Sequence, residues 1–272
     1  MAHQVIIQPK KGISLGSVKE ILQYRELLFT LALRDIKVRY KQTVIGGLWA
    51  IIQPLMTMVI FSFFFGKIAK IPSDGIPYPV FSYSGLILWT YFSGAVSAAS
   101  NSVIGSAGLI SKVYFPRIII PLASTLVGLL DYMIAGVIVF GLMMYFGYMP
   151  SLQITLIPII IIVSWITASG LGFWFSALNV KYRDVRYVVP FFIQLLMYAT
   201  PVIYPLSVSG NYKWLVMLNP LSGLMEGHRT MILGHQPIPW EMIGFSAVIS
   251  LILFTSGIMY FKSVERYLAD II

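Results

Sequence analysis

Six apolar stretches of the chain are long enough, or nearly long enough, to cross a membrane as helices. A bilayer core about 30 Å thick needs about 20 mostly apolar residues per helix. The windows with this pattern cover residues 44–66, 80–104, 118–146, 152–178, 187–204 and 242–261. The pattern predicts an all-α membrane protein with six transmembrane helices.

The fifth window is the shortest, and it contains Pro190 and Pro201. Proline has no backbone N–H group and kinks or ends a helix. In a bilayer, the carbonyl groups that are freed in this way need partners from the protein itself. We therefore expect this segment to be kinked and packed against neighbouring helices.

A helix with two different faces precedes the first window. Ser17, followed three residues later by Glu20, is typical of a capping box at a helix start. Polar residues then recur at spacings of three and four along one face, namely Lys19, Gln23, Glu26, Thr30, Arg34, Lys37 and Lys41. The other side is apolar and holds Val18, Ile21, Leu22, Leu28, Phe29, Ala32 and Ile36. This predicts an amphipathic interface helix over residues 17–41 that meets lipid headgroups with its basic stripe. A solvated helix packed on a separate soluble domain is the alternative.

Composition excludes a soluble protein. Hydrophobic residues make up 58% of the chain and charged residues 11%, against roughly 45–50% and 25% in soluble domains. The absence of cysteine excludes disulfides, thiolate metal sites and cysteine nucleophiles.

The basic residues predict the orientation of the chain. The first forty or so residues lack the layout of a cleaved signal peptide, so we expect a cytoplasmic N-terminus over residues 1–43. With six spans over residues 44–262 and a cytoplasmic C-terminus over residues 263–272, 15 Lys and Arg lie inside and 4 outside. Lys67 and Lys70 are the main exceptions. The net charge of +9 is then a topology signal and a contact with anionic membrane lipids, which argues against nucleic-acid binding.

Two predicted cytoplasmic loops carry candidate functional residues. The loop "GSAGLISKVYFPRIIIP" combines a short helix-forming segment with Lys112, Arg117 and two prolines, and suits contact with a partner. The loop "NVKYRDVRYVVPFF" concentrates charge at the membrane surface. It is either a plain topology-setting loop, in which Asp184 neutralises a neighbouring arginine, or a loop with a specific role.

The residues bear on two classes of membrane protein, ion-coupled carriers and intramembrane proteases. An ion-coupled carrier usually has several ionisable groups deep in its spans, whereas only Asp131 lies deep here, and it is expected to bond a polar neighbour such as Asn101. An intramembrane protease would need a base beside Ser169, but the three histidines lie outside the six windows. Small residues such as Ser169 more plausibly let helices pack closely. Glu226, His228 and His235 lack metal-site spacing, so no metal site is expected.

Four motifs, in order along nearly the whole chain, resemble one family. They are "LRDIKVRYKQTVIGGLWAIIQPL", "LISKVYFPRIIIP", "NVKYRDVRYVVPFFIQLLMYATPVIYP" and "LNPLSGLMEGHR". Together they resemble the permease subunit of ABC-2 type exporters, and most closely the branch that exports lipid-linked polysaccharides such as O-antigen, teichoic acid and capsule. An ABC-2 exporter of a drug or small lipid is the alternative.

The resemblance implies roles for particular residues. A cytoplasmic coupling helix would cover about residues 107–117 and meet an ATPase through Leu109, Lys112, Tyr114, Phe115 and Arg117. The cytoplasmic entry for a lipid-linked phosphate would use Arg34, Lys37, Arg39, Lys41, Lys181, Arg183, Asp184 and Arg186. Residues 205–239 would form short re-entrant helices on the outer side. Trp49, Tyr198 and Tyr204 would line a conduit, although tyrosine and tryptophan also gather at bilayer surfaces for their own reasons.

The resemblance also implies partners. The chain contains no G-x-x-x-x-G-K-S/T loop to hold a nucleotide, so the ATPase is expected to be a separate polypeptide that binds the ATP and magnesium. Members of the family work as two permeases with two ATPases in the bacterial cytoplasmic (inner) membrane. This chain is therefore expected to have no catalytic residues and no cofactor of its own, and to pair with a second copy of itself.

Overall fold

The computed structural model describes residues 23–41, 46–234 and 236–265. Within these residues the fold consists of helices and connecting turns, without strands. We number the helices α1 to α10, and their bounds are Arg25–Lys41, Trp49–Phe61, Tyr78–Gly105, Ala107–Ile110, Ile119–Tyr145, Ile157–Lys181, Val185–Ala199, Lys213–Met217, Pro220–Leu233 and Trp240–Glu265. The predicted capping box of Ser17 and Glu20 lies outside the described residues, and so does His235.

Four helical segments of the described chain are long and apolar enough to cross a membrane. They are Trp49–Ile68, Ile119–Tyr145, Leu152–Lys181 and Trp240–Glu265. The first consists of α2 and the more widely wound helical turns that follow it. The third consists of a short helical turn followed by α6. The chain is therefore a multi-pass membrane protein, and four of the six predicted spans are confirmed by length and composition.

The two remaining windows correspond to α3 and α7. Helix α3 has the required length, at 28 residues, but its serines, tyrosines and asparagine lower its hydropathy. It lies in the centre of the bundle against α5 and α6, where most of its side chains face protein and need not be apolar enough for lipid. Helix α7 is apolar but only 15 residues long. That these two helices cross the membrane stays a prediction.

Small residues bring α6 and α10 into backbone contact, as expected for the segment around Ser169. A Cβ atom added to Gly257 would lie 2.5 Å from the carbonyl oxygen of Gly170. The hydroxyl groups of Thr167 and Ser250 lie 2.6 Å apart across the same interface. Close approach and paired hydroxyl groups supply the packing and the hydrogen bonds that hold helices together where no water is present.

Helix α1 runs beside the first half of α5. Leu28 and Leu31 share a buried cluster with Ile119 at the start of α5, and Tyr40 at the other end of α1 bonds Asp131 near the middle of α5. The buried face is narrower than the predicted apolar face, because Phe29 is 59% exposed. Part of the apolar side of α1 is thus left exposed by the described residues.

Residues 205–234 fold into short helices, as the family resemblance implied. Helix α9 begins at Pro220, after Asn219, whose side chain accepts a hydrogen bond from the N–H of Leu221 at 3.0 Å. It ends at Gly234, whose positive φ of 65° suits glycine. Nearly all of α9 is buried against α3, α6 and α10. That these helices re-enter the membrane stays a prediction.

Candidate functional site

The predicted functional residues cluster where α3, α6 and α10 end and where α5 and α7 begin. We call this the loop end of the bundle. It carries the coupling loop, residues 107–117, and the charged loop, residues 181–186. The turn before α3 and the short helices α8 and α9 lie toward the other end.

The coupling loop is helical over only part of its predicted length. Helix α4 ends at Ile110, and residues 111–117 form turns. Pro116 accounts for the loss of helix at residues 115 and 116, because a proline disfavours helical geometry at the residue before it and cannot continue the helix itself. The earlier end of the helix at Ile110 has no such cause in the structure. The helical part of the loop is therefore one turn long.

Two contacts anchor the coupling loop to the bundle. Phe115, 4% exposed, packs in the core beside Ile118. The backbone N–H of Arg117 donates to Oε1 of Glu265 at 2.9 Å, and its guanidinium donates to the Glu265 carbonyl, also at 2.9 Å. Of the predicted ATPase contacts, Leu109 is half-buried, and Lys112 and Tyr114 are exposed. The loop thus presents a short exposed segment between two fixed ends.

The charged loop lines a cavity together with the start of the coupling loop. The cavity has a volume of about 450 Å³, and its walls are Ile104, Ala107, Asn179, Val180, Arg183, Asp184, Arg186 and Tyr187. Lys181 does not line it, and its ammonium lies 5.2 Å from the ring centre of Tyr182. Asp184 forms no ion pair with a described residue, so the expected neutralisation of a neighbouring arginine is not found there. The structure therefore brings three of the predicted entry residues together.

The basic residues of α1 fall into two groups. Arg34 pairs with Asp35 at 2.7 Å, and Arg39 pairs with Asp131 at 2.9 Å. Lys37 and Lys41 are exposed. The two lysines are thus the more accessible positive charges of the predicted stripe.

The expected partner of Asp131 was wrong. Asn101 lies at the end of α3 and accepts a hydrogen bond from Asn179 at 3.2 Å, whereas Asp131 faces α1 and accepts a hydrogen bond from the Tyr40 hydroxyl. Burial, followed by this hydrogen bond to Asp131, raises the pKa of Tyr40 to about 12. Tyr40 therefore stays protonated and remains a donor. Asp131 is the point at which α5 holds the C-terminal end of α1.

A buried bend follows α7, as its prolines predicted. Helix α7 ends at Ala199, and the chain turns through residues 200–203, all of which are buried. The guanidinium of Arg229 donates to the carbonyls of Pro201, at 2.6 Å, and of Val202. The Tyr78 hydroxyl donates to the carbonyl of Ile203 at 2.8 Å. Three successive carbonyl groups that have left the helix are therefore satisfied by side chains of α9 and α3.

Arg229 is a residue that sequence reasoning missed. It is 2% exposed, and its guanidinium carbon lies 3.9 Å from the ring centre of Phe81. Its neighbour His228 is also buried, with Nε2 2.6 Å from the Tyr132 hydroxyl. The available signal was an arginine in a largely apolar segment that also holds Glu226 and His228, in a chain whose proline-broken helix needs hydrogen-bond donors.

The predicted conduit residues lie on faces that the single chain leaves open. Trp49 at the start of α2 and Tyr198 near the end of α7 are exposed, and the Tyr204 hydroxyl donates to the Tyr198 carbonyl at 3.3 Å. Helices α2 and α7 each pack on α3. A lining role stays a prediction.

The rival chemistries gain no support from the described residues. The hydroxyl of Ser169 lies 3.2 Å from that of Thr125, which also accepts a hydrogen bond from the Trp165 indole at 2.9 Å. Ser169 is thus part of a helix-packing network, and no base is among these contacts. No group of three histidine or acidic side chains in the described part of the chain is placed to hold a metal.

The chain is similar in sequence to known transport proteins over most of its length. A family model described as "ABC-2 type transporter" matches residues 26–233. The chain is 27% identical to the O-antigen export system permease protein RfbA of Myxococcus xanthus, over 93% of this chain and 98% of that protein. It is 30% identical to the protein of the same name from Klebsiella pneumoniae, over 91% and 95%. It is 25% identical to the polysialic acid transport protein KpsM of Escherichia coli, over 87% and 92%.

Replacing Arg229 by lysine tests the buried bend. Lysine keeps the charge but has no planar fork, so at least one of the two carbonyls loses its partner. We expect a loss of about 2 kcal/mol in stability, the usual cost of an unpaired buried acceptor, seen as a lower melting temperature in detergent. Arg25→Lys on the exposed side of α1 is the matched control and should melt like the parent protein. Equal melting of the two variants would rule out the proposed role of Arg229.

A double-mutant cycle tests the contact between α1 and α5. Arg39→Gln and Asp131→Asn remove the two halves of one ion pair, so we expect their effects on unfolding free energy to be non-additive by about 1 kcal/mol. Arg34→Gln combined with Asp131→Asn is the control, because Arg34 pairs with Asp35 instead. That pair should be additive, and additivity in both cycles would show that the Arg39 contact does not form.

Proposed function

The chain belongs to the ABC-2 type transporter family, and from this membership we propose that it is the permease subunit of an ATP-driven exporter of lipid-linked polysaccharide. The observation that carries the proposal is its similarity, over 91–93% of the chain, to proteins named as permeases of O-antigen export. A relative named for polysialic acid transport supports a polysaccharide as the cargo. An O-antigen, a teichoic acid or a capsular polymer are the candidate cargoes.

In this proposal α3 and α7 complete a set of six spans. A helix of 28 residues is about 42 Å long, enough to cross a bilayer core. Helix α7 is shorter, and the buried bend adds the length that it lacks. The loop end faces the cytoplasm with both termini, because 15 of the 19 Lys and Arg then lie inside. The short helices α8 and α9 re-enter the membrane from the outer side.

The energy for export comes from a separate ABC ATPase, which holds the ATP and magnesium. Two copies of the ATPase serve two copies of this chain. Tyr114, at 82% exposure, and Lys112 dock on the ATPase, while Phe115 and Arg117 hold the loop in place and Leu109 supports its helical turn. Closure of the ATPase pair on ATP then pulls the coupling loop, and with it α5 and the end of α10.

The conduit forms between the two copies. Only 11% of the residues in the apolar window of the span Trp49–Ile68 are buried within one chain. Helix α7 has a row of exposed apolar side chains that includes Phe191 and Leu195. These faces need lipid or a second copy as a partner. A conduit between them, bordered by Trp49, Tyr198 and Tyr204, accommodates a polymer headgroup that a single bundle has no room for.

The cargo enters beside the basic loop end. Lys181, Arg183 and Arg186 of the charged loop are exposed, and cations at a membrane surface attract the phosphate of a lipid carrier. Lys37 and Lys41 are also exposed, but they lie at the end of α1 that bonds the middle of α5, away from the loop end. Arg34 and Arg39 contribute less, because each already pairs with a carboxylate.

Deletion of the gene tests the cargo class. We expect a lipid-linked glycan to accumulate on the cytoplasmic face of the membrane and to disappear when the gene is restored. Lipid extraction and mass spectrometry of the deleted and restored strains identify the glycan. If a drug or a small lipid accumulated in the deleted strain and no glycan did, the polysaccharide assignment would be wrong.

Substitutions in the coupling loop test the ATPase contact. Lys112→Glu combined with Tyr114→Ala alters exposed side chains only, so the bundle should fold while co-purification of the ATPase falls by about tenfold or more, as for loss of an interface anchor. Lys213→Glu in α8 gives the same charge change far from the loop end and should leave co-purification unchanged. Arg117 is left intact because its contacts with Glu265 are structural. Undiminished association in the double variant would exclude this loop as the docking element.

A further inference from the structure

We propose that a second cavity, at the end of the bundle away from the loop end, binds an uncharged sugar unit of the exported glycan. We call it the far cavity. Its polar wall consists of Asp74, Ser207, Lys213, Glu226, Thr230 and Gln236. The inference rests on the proposed function for the class of cargo, and it narrows that cargo to a glycan that contains neutral sugars.

Thr230 carries the argument, because it is a buried residue whose hydroxyl has no partner. The residue is 2% exposed and lines the far cavity from α9. Its hydroxyl forms no hydrogen bond with a described residue, although a threonine within a helix often bonds the carbonyl one turn before it. The oxygen is nevertheless not sealed from solvent. A ligand in the far cavity can therefore use this hydroxyl as a donor and as an acceptor.

Glu226 places an acceptor one helical turn before Thr230. Residues four positions apart lie on the same face of a helix, and both line the far cavity. The Glu226 side chain is 16% exposed, and its Oε2 lies 4.0 Å from Nη1 of Arg229. Oε2 is sealed and accepts no hydrogen bond, whereas Oε1 is not sealed and is the oxygen available to a ligand. Helix α9 thus offers a hydroxyl and a carboxylate side by side.

The charges around the far cavity favour a neutral ligand. Asp74 and Glu226 contribute two carboxylates to its wall, and Lys213 contributes an ammonium group. Arg229 supplies a second cation beside Glu226. The charges of these four groups cancel. A phosphate or an acidic sugar would meet two carboxylates, and a metal cation would meet Lys213, so the balance disfavours both.

The wall offers donors and acceptors to the same ligand. The Ser207 hydroxyl donates to Oδ1 of Asp74 at 2.9 Å, and Oδ2 of Asp74 has no hydrogen-bond partner among the described residues. Lys213 only donates, and the Gln236 amide donates and accepts. Each hydroxyl of a sugar donates one hydrogen bond and can accept two, and its bonds to charged groups are the stronger ones. A ring that carries several hydroxyls therefore matches this wall.

The size of the far cavity agrees with one sugar unit. Its volume is about 300 Å³, at the lower end of the range for small-molecule pockets, roughly 300–1,000 Å³. Pro237 and Pro239 contribute apolar surface to the wall. Binding pockets for small molecules combine such apolar surface with a few polar groups, and here the prolines can pack against the C–H groups of a sugar ring.

The far cavity lies where the two proposed walls of the conduit end. Residues 69–77, which include Asp74, connect the span Trp49–Ile68 to α3. Ser207 follows the buried bend after α7. The cavity therefore adjoins the ends of both segments that are proposed to border the conduit. In the proposed orientation this is the outer side, so a glycan that leaves the conduit passes the far cavity.

Sugar binding to the full chain tests the site without any ATPase. Saturation-transfer NMR would compare glucose, galactose and mannose with the matching uronic acids, in a phosphocholine detergent because a maltoside would itself present sugar hydroxyls. We expect at least one neutral sugar to bind saturably. Its uronic acid should bind about tenfold more weakly, because its carboxylate meets those of Asp74 and Glu226. Calcium ions in excess should leave this binding unchanged.

Two variants separate binding from folding. Thr230→Val removes the hydroxyl at nearly constant shape, so the affinity for the neutral sugar should fall about fivefold. Its melting temperature should stay the same or rise, because no hydrogen bond within the chain is lost, whereas a structural role would lower it. Glu226→Gln should weaken sugar binding by about tenfold. Glu241→Gln is the matched control, since Glu241 is exposed at the start of α10 but does not line the far cavity.

The possible outcomes distinguish the site from the function. Absence of binding by all three neutral sugars, or equal binding of a sugar and its uronic acid, would overturn the proposal. Displacement of the sugar by calcium would make the far cavity a cation site instead. If Glu226→Gln does not fold, Thr230→Val decides, and unchanged affinity in that variant would refute the site. Glycan accumulation on gene deletion, together with no sugar binding, would refute the site and leave the proposed function standing.

Discussion

A bilayer offers no water to a backbone that has left its helix, and this constraint shapes the centre of the molecule. The carbonyl groups of Pro201, Val202 and Ile203 have no partners within α7, and they bond instead to Arg229 and to Tyr78. Because such groups are costly to leave unpaired in an apolar interior, the arginine must be buried with them. The bend therefore ties α7 to α9 and α3.

A small number of polar contacts also hold the helices near the loop end to the rest of the bundle. Arg117 bonds Glu265 at the end of α10, and Asp131 of α5 bonds Arg39 and Tyr40 of α1. The coupling loop leads directly into α5, and α1 precedes the exposed wall formed by α2. If an ATPase moves the loop as proposed, these contacts would pass the displacement through α5 to α1 and toward the proposed conduit. Apolar packing alone would let these helices slide, whereas an ion pair and hydrogen bonds fix their register.

Local patterns predicted the parts of this structure that depend on local chemistry. The length of each apolar stretch predicted the spans that meet lipid, and Pro201 predicted the buried bend. Neither of these features depends on a residue far away in the chain. Local patterns predicted α3 least well, because its polar side chains face protein, and they predicted too long a helix in the coupling loop, where the helix ends at Ile110. The partners of Asp131 and the role of Arg229 were out of reach. Tyr40 lies 91 residues from Asp131 in the chain, and no periodicity within either helix indicates that the two meet.

Transport in a purified system tests the proposed function most directly. Proteoliposomes would contain this chain and its ABC ATPase, with the ATPase and the lipid-linked glycan exposed on the outside. On addition of ATP, we expect the glycan to become protected from an external glycosidase, and protection should require both proteins. Protection that develops without ATP or without the ATPase, or ATP hydrolysis that leaves the glycan fully accessible, would contradict the role proposed for this protein.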